Sequence, residues 1–119
     1  PQPLDVAAMR HAADAIPGEH DFSAFQGAGS ATHTAVRRVR SARWLTNADG
    51  ALVFEIAGEG FLRHMVRSLA GTLIEIGHGR RETGDIGRLL ASPQRADVGR
   101  TAPPEGLFLV KVEYHTQTS

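Results

Sequence analysis

The run from Ala51 to Gly77 changes its hydrophobic period once, and that change restricts the chain to a fold that mixes strand with helix. "ALVFEIA" (51–57) alternates, placing Leu52, Phe54 and Ile56 on one face and Val53, Glu55 and Ala57 on the other. Gly58 and Gly60 break the run. At about 100° per residue, Leu62, Met65, Val66, Leu69, Leu73 and Ile76 then gather on one side of a helix over 61–76. His64, Arg67, Ser68, Gly71 and Glu75 gather opposite, and Gly77 is a stop. Upstream, "NADG" (47–50) is a hairpin signal in which Asp-Gly supplies positive φ. It joins "AVRRVRSARWLT" (35–46), whose alternation predicts Val39, Ser41, Arg43 and Leu45 on one face and Arg38, Arg40, Ala42 and Trp44 on the other.

The flanks complete an order of elements. Residues 4–16 carry Ala, Met and Leu at helical spacing, with Pro17-Gly18 as a stop. Residues 19–34 read as a small-residue loop, and 77–84 as a second loop. A short helix is expected over 85–92, ended by Pro93, then an irregular stretch over 99–106 and a strand over 107–114. Helix, strand, strand, helix, short helix, strand is the β-α-β-β-α-β plan of ferredoxin-like folds without its first strand. The expectation is one α+β domain of ferredoxin-like, RRM-like form over 1–119. Its sheet is antiparallel, its helices pack on one face, and its first strand is missing. The alternative is a complete small domain with three strands. Pro1 in place of Met fits a chain that begins inside a longer one.

Composition narrows the classes. No apolar run approaches the roughly 18 residues that would span a membrane, and "PQPLDVAAMRHAADAIPGEH" is too polar for a secretory signal. There is no cysteine, hence no disulfide framework and no thiolate zinc site, which fits a reducing compartment and a cytoplasmic location. The six His show no H-E-x-x-H or comparable spacing, so no metal ligand is assigned. Net charge is zero, yet twelve of the thirteen basic residues are Arg. Between Asp21 and Asp49 there is no acid, while Arg37, Arg38, Arg40 and Arg43 fall close together. Arginine suits bidentate phosphate contact, so this strip is a candidate RNA-facing edge. The competing reading is a solvated strand face, or Arg stems covering the edge of a core.

Four segments in order carry a resemblance. "GFLRHMVRSLAGTLIEIG" (60–77) resembles the F-L-x-H-M-V-R-N-x-x-G-x-L-x-x-x-G stretch of the tRNA pseudouridine synthase A family. "TAPPEGLFLVKVEY" (101–114) resembles that family's T-A-P-x-x-G-L-x-L-x-x-V-x-Y ending. "GEHDFSAF" (18–25) and Thr34 to Arg37 are similar to its H-D-F-x-x-F and T-x-x-R elements. Two positions depart: Gln26 stands where Arg is usual, and Ser68 where Asn commonly follows the helix Arg.

The resemblance implies an enzyme that isomerises uridine to pseudouridine in the tRNA anticodon stem-loop, at tRNA positions 38 to 40, without metal or organic cofactor. In that family the Asp of an R-T-D-x-G-V-H-A motif breaks the glycosidic bond. No R-T-D occurs in this chain, where Arg100-Thr101 is followed by Ala102. The chain therefore looks like the C-terminal half, inactive alone, with the N-terminal half as its partner in a homodimeric enzyme. By the same resemblance Arg67 pairs with the catalytic Asp and Leu107 packs beside the flipped base. Arg37, Arg38, Arg40 and Arg43 would meet phosphates, and His64 would face the same cleft. The rival is a noncatalytic ferredoxin-like RNA-binding module. Trp44 and Phe54 could serve as stacking aromatics there, although the RRM's K/R-G-F/Y-G/A-F run is absent.

Overall fold

The computed structural model describes residues 4–26, 34–62, 64–91 and 108–114, the last of these by its backbone. In chain order the elements are helix α1 (Val6–Ala13), strand β1 (Gly18–Asp21), a 3₁₀ turn (Ser23–Phe25), β2 (Val36–Thr46) and β3 (Leu52–Gly58). Helices α2 (Met65–Gly77) and α3 (Asp85–Ala91) and strand β4 (Phe108–Tyr114) follow. The four strands form one sheet in the order β1-β2-β3-β4. The α+β expectation holds, and no strand precedes α1 among the described residues. The sheet is antiparallel across β1, β2 and β3. It departs from the expected all-antiparallel form at β4, which pairs parallel to β3, Leu52 opposite Phe108 through Gly58 opposite Tyr114. The connection explains this: a chain that leaves β3 and returns through helices comes back to the end where β3 began.

Local chemistry sets the boundaries. The Asp5 carboxylate accepts from the Ala8 N–H at 3.0 Å and caps α1. At the hairpin, Asn47 Oδ1 accepts from the N–H groups of both Asp49 and Ala51. The positive φ falls on Gly50 alone, at 85°. Strand β1 occupies the start of the segment expected to be a loop. Its four residues, Gly18, Glu19, His20 and Asp21, lack apolar alternation; they form a strand because the edge of β2 offers backbone partners. Helix α2 runs through Gly77, and the reversal comes two residues later, with Gly79 at φ 79°.

The core lies between the sheet and one layer of helices. Ala42 and Trp44 of β2 and Phe54 and Ile56 of β3 face Met9, Ala12 and Ala13 of α1, Met65, Leu69 and Leu73 of α2, and Ile86 and Leu89 of α3. Trp44 and Phe54 are register partners with ring centroids 4.9 Å apart. Val39 also joins this core, which overturns its predicted place beside Arg43. A β-bulge between Val39 and Ser41 inserts Arg40 as an extra residue and shifts the alternation by one. Helices α1 and α2 meet closely at Gly77, where an added Cβ would lie 2.5 Å from Met9 Sδ. Arg81 ties α2 to α3, bonding Glu75 at 2.9 Å and approaching Asp85 at 3.6 Å.

Candidate functional site

Helix α2 begins where β3 has ended, so its first turn lies past the C-terminal end of that strand. His64 precedes it in the left-handed region, at φ 62° and ψ 4°. That conformation costs an L-residue roughly 1–2 kcal/mol. The His64 carbonyl accepts from the Ser68 N–H at 2.9 Å and starts the helix while the side chain stays exposed. Met65 and Leu69 turn into the core, which leaves Arg67 exposed on the first turn. Gly71, expected on the polar face, is buried. The open part of the helix is therefore narrower than its sequence suggests, and His64 and Arg67 dominate it. Leu107, the other residue expected at the catalytic centre, lies outside the described residues, as does the segment 99–106.

The four strip arginines do not form one stripe. Arg37 donates through Nη1 to the carbonyls of Thr34 and Val36, both at 2.8 Å. Its Cδ would lie 3.9 Å from a Cβ placed on Gly60, so Arg37 abuts the loop that leads into α2. Arg38 sits opposite Glu19 in register and approaches its carboxylate at 3.6 Å, both side chains being well exposed. Arg40 is exposed in the bulge. Arg43 stands on the sheet face away from the helices. Its Nε and Nη2 both reach Glu55 Oε1 at 2.6 Å. The Arg43 side chain is 62% exposed and that of Glu55 only 10%. A buried carboxylate thus grips an exposed guanidinium, a short charge-assisted contact of the strong kind.

Among the described residues, β1 pairs with β2 only from Val36 through Val39, which leaves the β2 edge beside Arg43 without a strand partner. Beyond Val39, a recess of about 350 Å³ is lined by Arg10, Asp14, Ala42, Arg43, Trp44 and Leu45. Arg10, on α1, donates through Nε to the Trp44 carbonyl at 3.3 Å. Sequence reading gave Arg10 and Glu55 no role. The pairing of Glu55 with Arg43 depends on the hairpin register, which the sequence does not print.

The H-D-F-x-x-F segment is scaffolding. Phe22 and Phe25 are fully buried, and Asp21 Oδ1 accepts from the Ser23 N–H at 2.9 Å. His20 meets Phe22 edge-on at 5.6 Å, with Nε2 at 3.0 Å from the Pro17 carbonyl. Among the described residues no group of three His, Asp or Glu side chains comes together to hold a metal ion.

Comparison with known proteins identifies the family. The family model for tRNA pseudouridine synthase matches residues 12–115. The tRNA pseudouridine synthase A of Myxococcus xanthus is 49% identical over 112 residues, covering 94% of this chain and 42% of the relative. That of Acetivibrio thermocellus is 46% identical over 111 residues, 93% of this chain and 45% of the relative. That of Pelobacter propionicus is 43% identical over 113 residues, 95% of this chain and 46% of the relative. The chain spans less than half the length of these relatives. The family model covers the fold from the end of α1 to the end of β4, and the chain belongs to the tRNA pseudouridine synthase family.

Proposed function

We propose that this chain is the C-terminal half of an enzyme that isomerises uridine to pseudouridine in the tRNA anticodon stem-loop, at tRNA positions 38 to 40. The observation that carries the reading is the exposed Arg67 on the first turn of α2, inside the segment with the closest family likeness. In this reading a catalytic Asp comes from the N-terminal half, because R-T-D is absent from residues 1–119. The Arg67 fork holds both carboxylate oxygens and keeps the acid ionised and oriented. The carboxylate breaks the bond between ribose and uracil, by attack on the sugar or through a glycal. The freed uracil turns and rejoins the ribose through carbon. The target nucleotide first leaves the stack, at a cost of a few kcal/mol. Leu107 offers it an apolar wall, and His64 faces the same cleft. Arg37, Arg38, Arg40 and Arg43 contact phosphates along the stem, so binding weakens steeply with salt. The full enzyme works as a homodimer in the cytoplasm, and its chemistry needs no metal or organic cofactor. None of the described helices is long and apolar enough to cross a membrane.

The test is Arg67→Ala in the protein that carries this domain. Turnover should fall by about a hundredfold or more, the scale of losing a reacting group's orientation, while tRNA affinity changes far less. Equal losses in both would contradict the orienting role.

A further inference from the structure

We propose that the recess at the open edge of β2 is a binding site for the RNA ribose-phosphate backbone. Two arginines line it, Arg10 bonded to the Trp44 carbonyl and Arg43 to the Glu55 carboxylate. This rests on the reading of the chain as part of a tRNA-modifying enzyme. It adds Arg10 to the RNA-binding residues and makes Glu55 a positioning residue.

Three observations converge. First, the recess is large enough for a sugar-phosphate unit, and it is lined by Arg10 and Arg43 together with Asp14, Ala42, Trp44 and Leu45. Second, each guanidinium is fixed by an acceptor of the fold. Arg10 bonds the Trp44 carbonyl through Nε, and Arg43 presents Nε and Nη2 to one oxygen of Glu55. In both, Nη1 remains for an anion; a pre-fixed fork loses less freedom on binding phosphate than a mobile one. Third, Glu55 is nearly buried on a sheet face where an apolar residue would be the cheaper filler, because removing a carboxylate from water is costly. The two short contacts to Glu55 Oε1 set the direction of Arg43. Asp14 on the rim, an acceptor, suits a ribose hydroxyl, the group that separates RNA from DNA.

The test uses the intact enzyme and an unmodified tRNA transcript, with pseudouridine formation by the wild type measured first. Arg10→Ala and Arg43→Ala should each raise KM about tenfold, as loss of a charge-assisted contact would. Each should flatten the salt dependence of binding by about one unit of slope and leave kcat unchanged. Glu55→Gln should raise KM in the wild type but add nothing in the Arg43→Ala background. Should Glu55→Gln fail to fold, Arg43→Lys keeps the charge without the fork and should raise KM with the slope retained. Unchanged KM and slope in Arg10→Ala and Arg43→Ala would overturn the site. Additive effects of Glu55→Gln and Arg43→Ala would overturn the positioning role, as would an unchanged KM in Arg43→Lys. A wild type that makes no pseudouridine would overturn the underlying functional reading instead.

Discussion

At the scale of single residues, function rests on backbone fit as much as on charge. Gly58 ends β3 where a Cβ would lie 2.7 Å from the Arg38 carbonyl oxygen and 3.3 Å from Val39 Cα. Both atoms belong to a strand fixed by pairing on each side, so neither can retreat cheaply. Gly58→Ala should therefore destabilise by roughly 1–3 kcal/mol, the cost of overpacking. Gly50, at φ 85° with open space around it, should lose only about 1 kcal/mol on the same change. Thermal unfolding of the two variants checks the order; an equal or larger loss at Gly50 would contradict it. In the sequence Gly58 reads only as a break between strand and helix. Its close approach to Arg38 is invisible there, because it depends on what lies across the sheet. Arg67 is the opposite case: the helical period alone places it away from the apolar stripe, and it is exposed.

At the scale of elements, strong local patterns survive folding and weak ones yield to their neighbours. β3 and α2 are legible because each repeats its apolar period through most of its length. β1 is illegible because its pairing comes from β2 and not from its own residues. The bulge at Arg40 is equally silent, yet it decides which side of the sheet Val39 joins. It also takes Arg37 off the face that carries Arg43. The packing of α3 on α2 depends on Arg81, whose side chain is only 14% exposed between Glu75 and Asp85. Arg81→Ala removes the cation that bridges two half-hidden carboxylates, Asp85 keeping its bond to Arg88 at 2.8 Å, and should cost about 1–3 kcal/mol. Denaturant unfolding should show a lower midpoint. A midpoint equal to the wild type would mean that apolar contacts alone seat α3.

At the scale of the whole molecule, the proposed function has the chain bring cations and a scaffold and leave the reacting acid to another part of a longer enzyme. In that proposal the anions are met by Arg67 on the first turn of α2 and by Arg10 and Arg43 beside the recess at β2. The helical period made the exposure of Arg67 legible in advance, while the recess and its partners needed the register of the folded hairpin. The most direct measurement is tritium release from tRNA labelled at uridine C5, with residues 1–119 alone and with the same residues in the longer enzyme. No release is expected from residues 1–119 alone, and release is expected from the tRNA uridines at positions 38 to 40 by the longer protein. Turnover by residues 1–119 alone would contradict the division of labour. A longer protein that binds tRNA yet releases no tritium would favour a noncatalytic RNA-binding module.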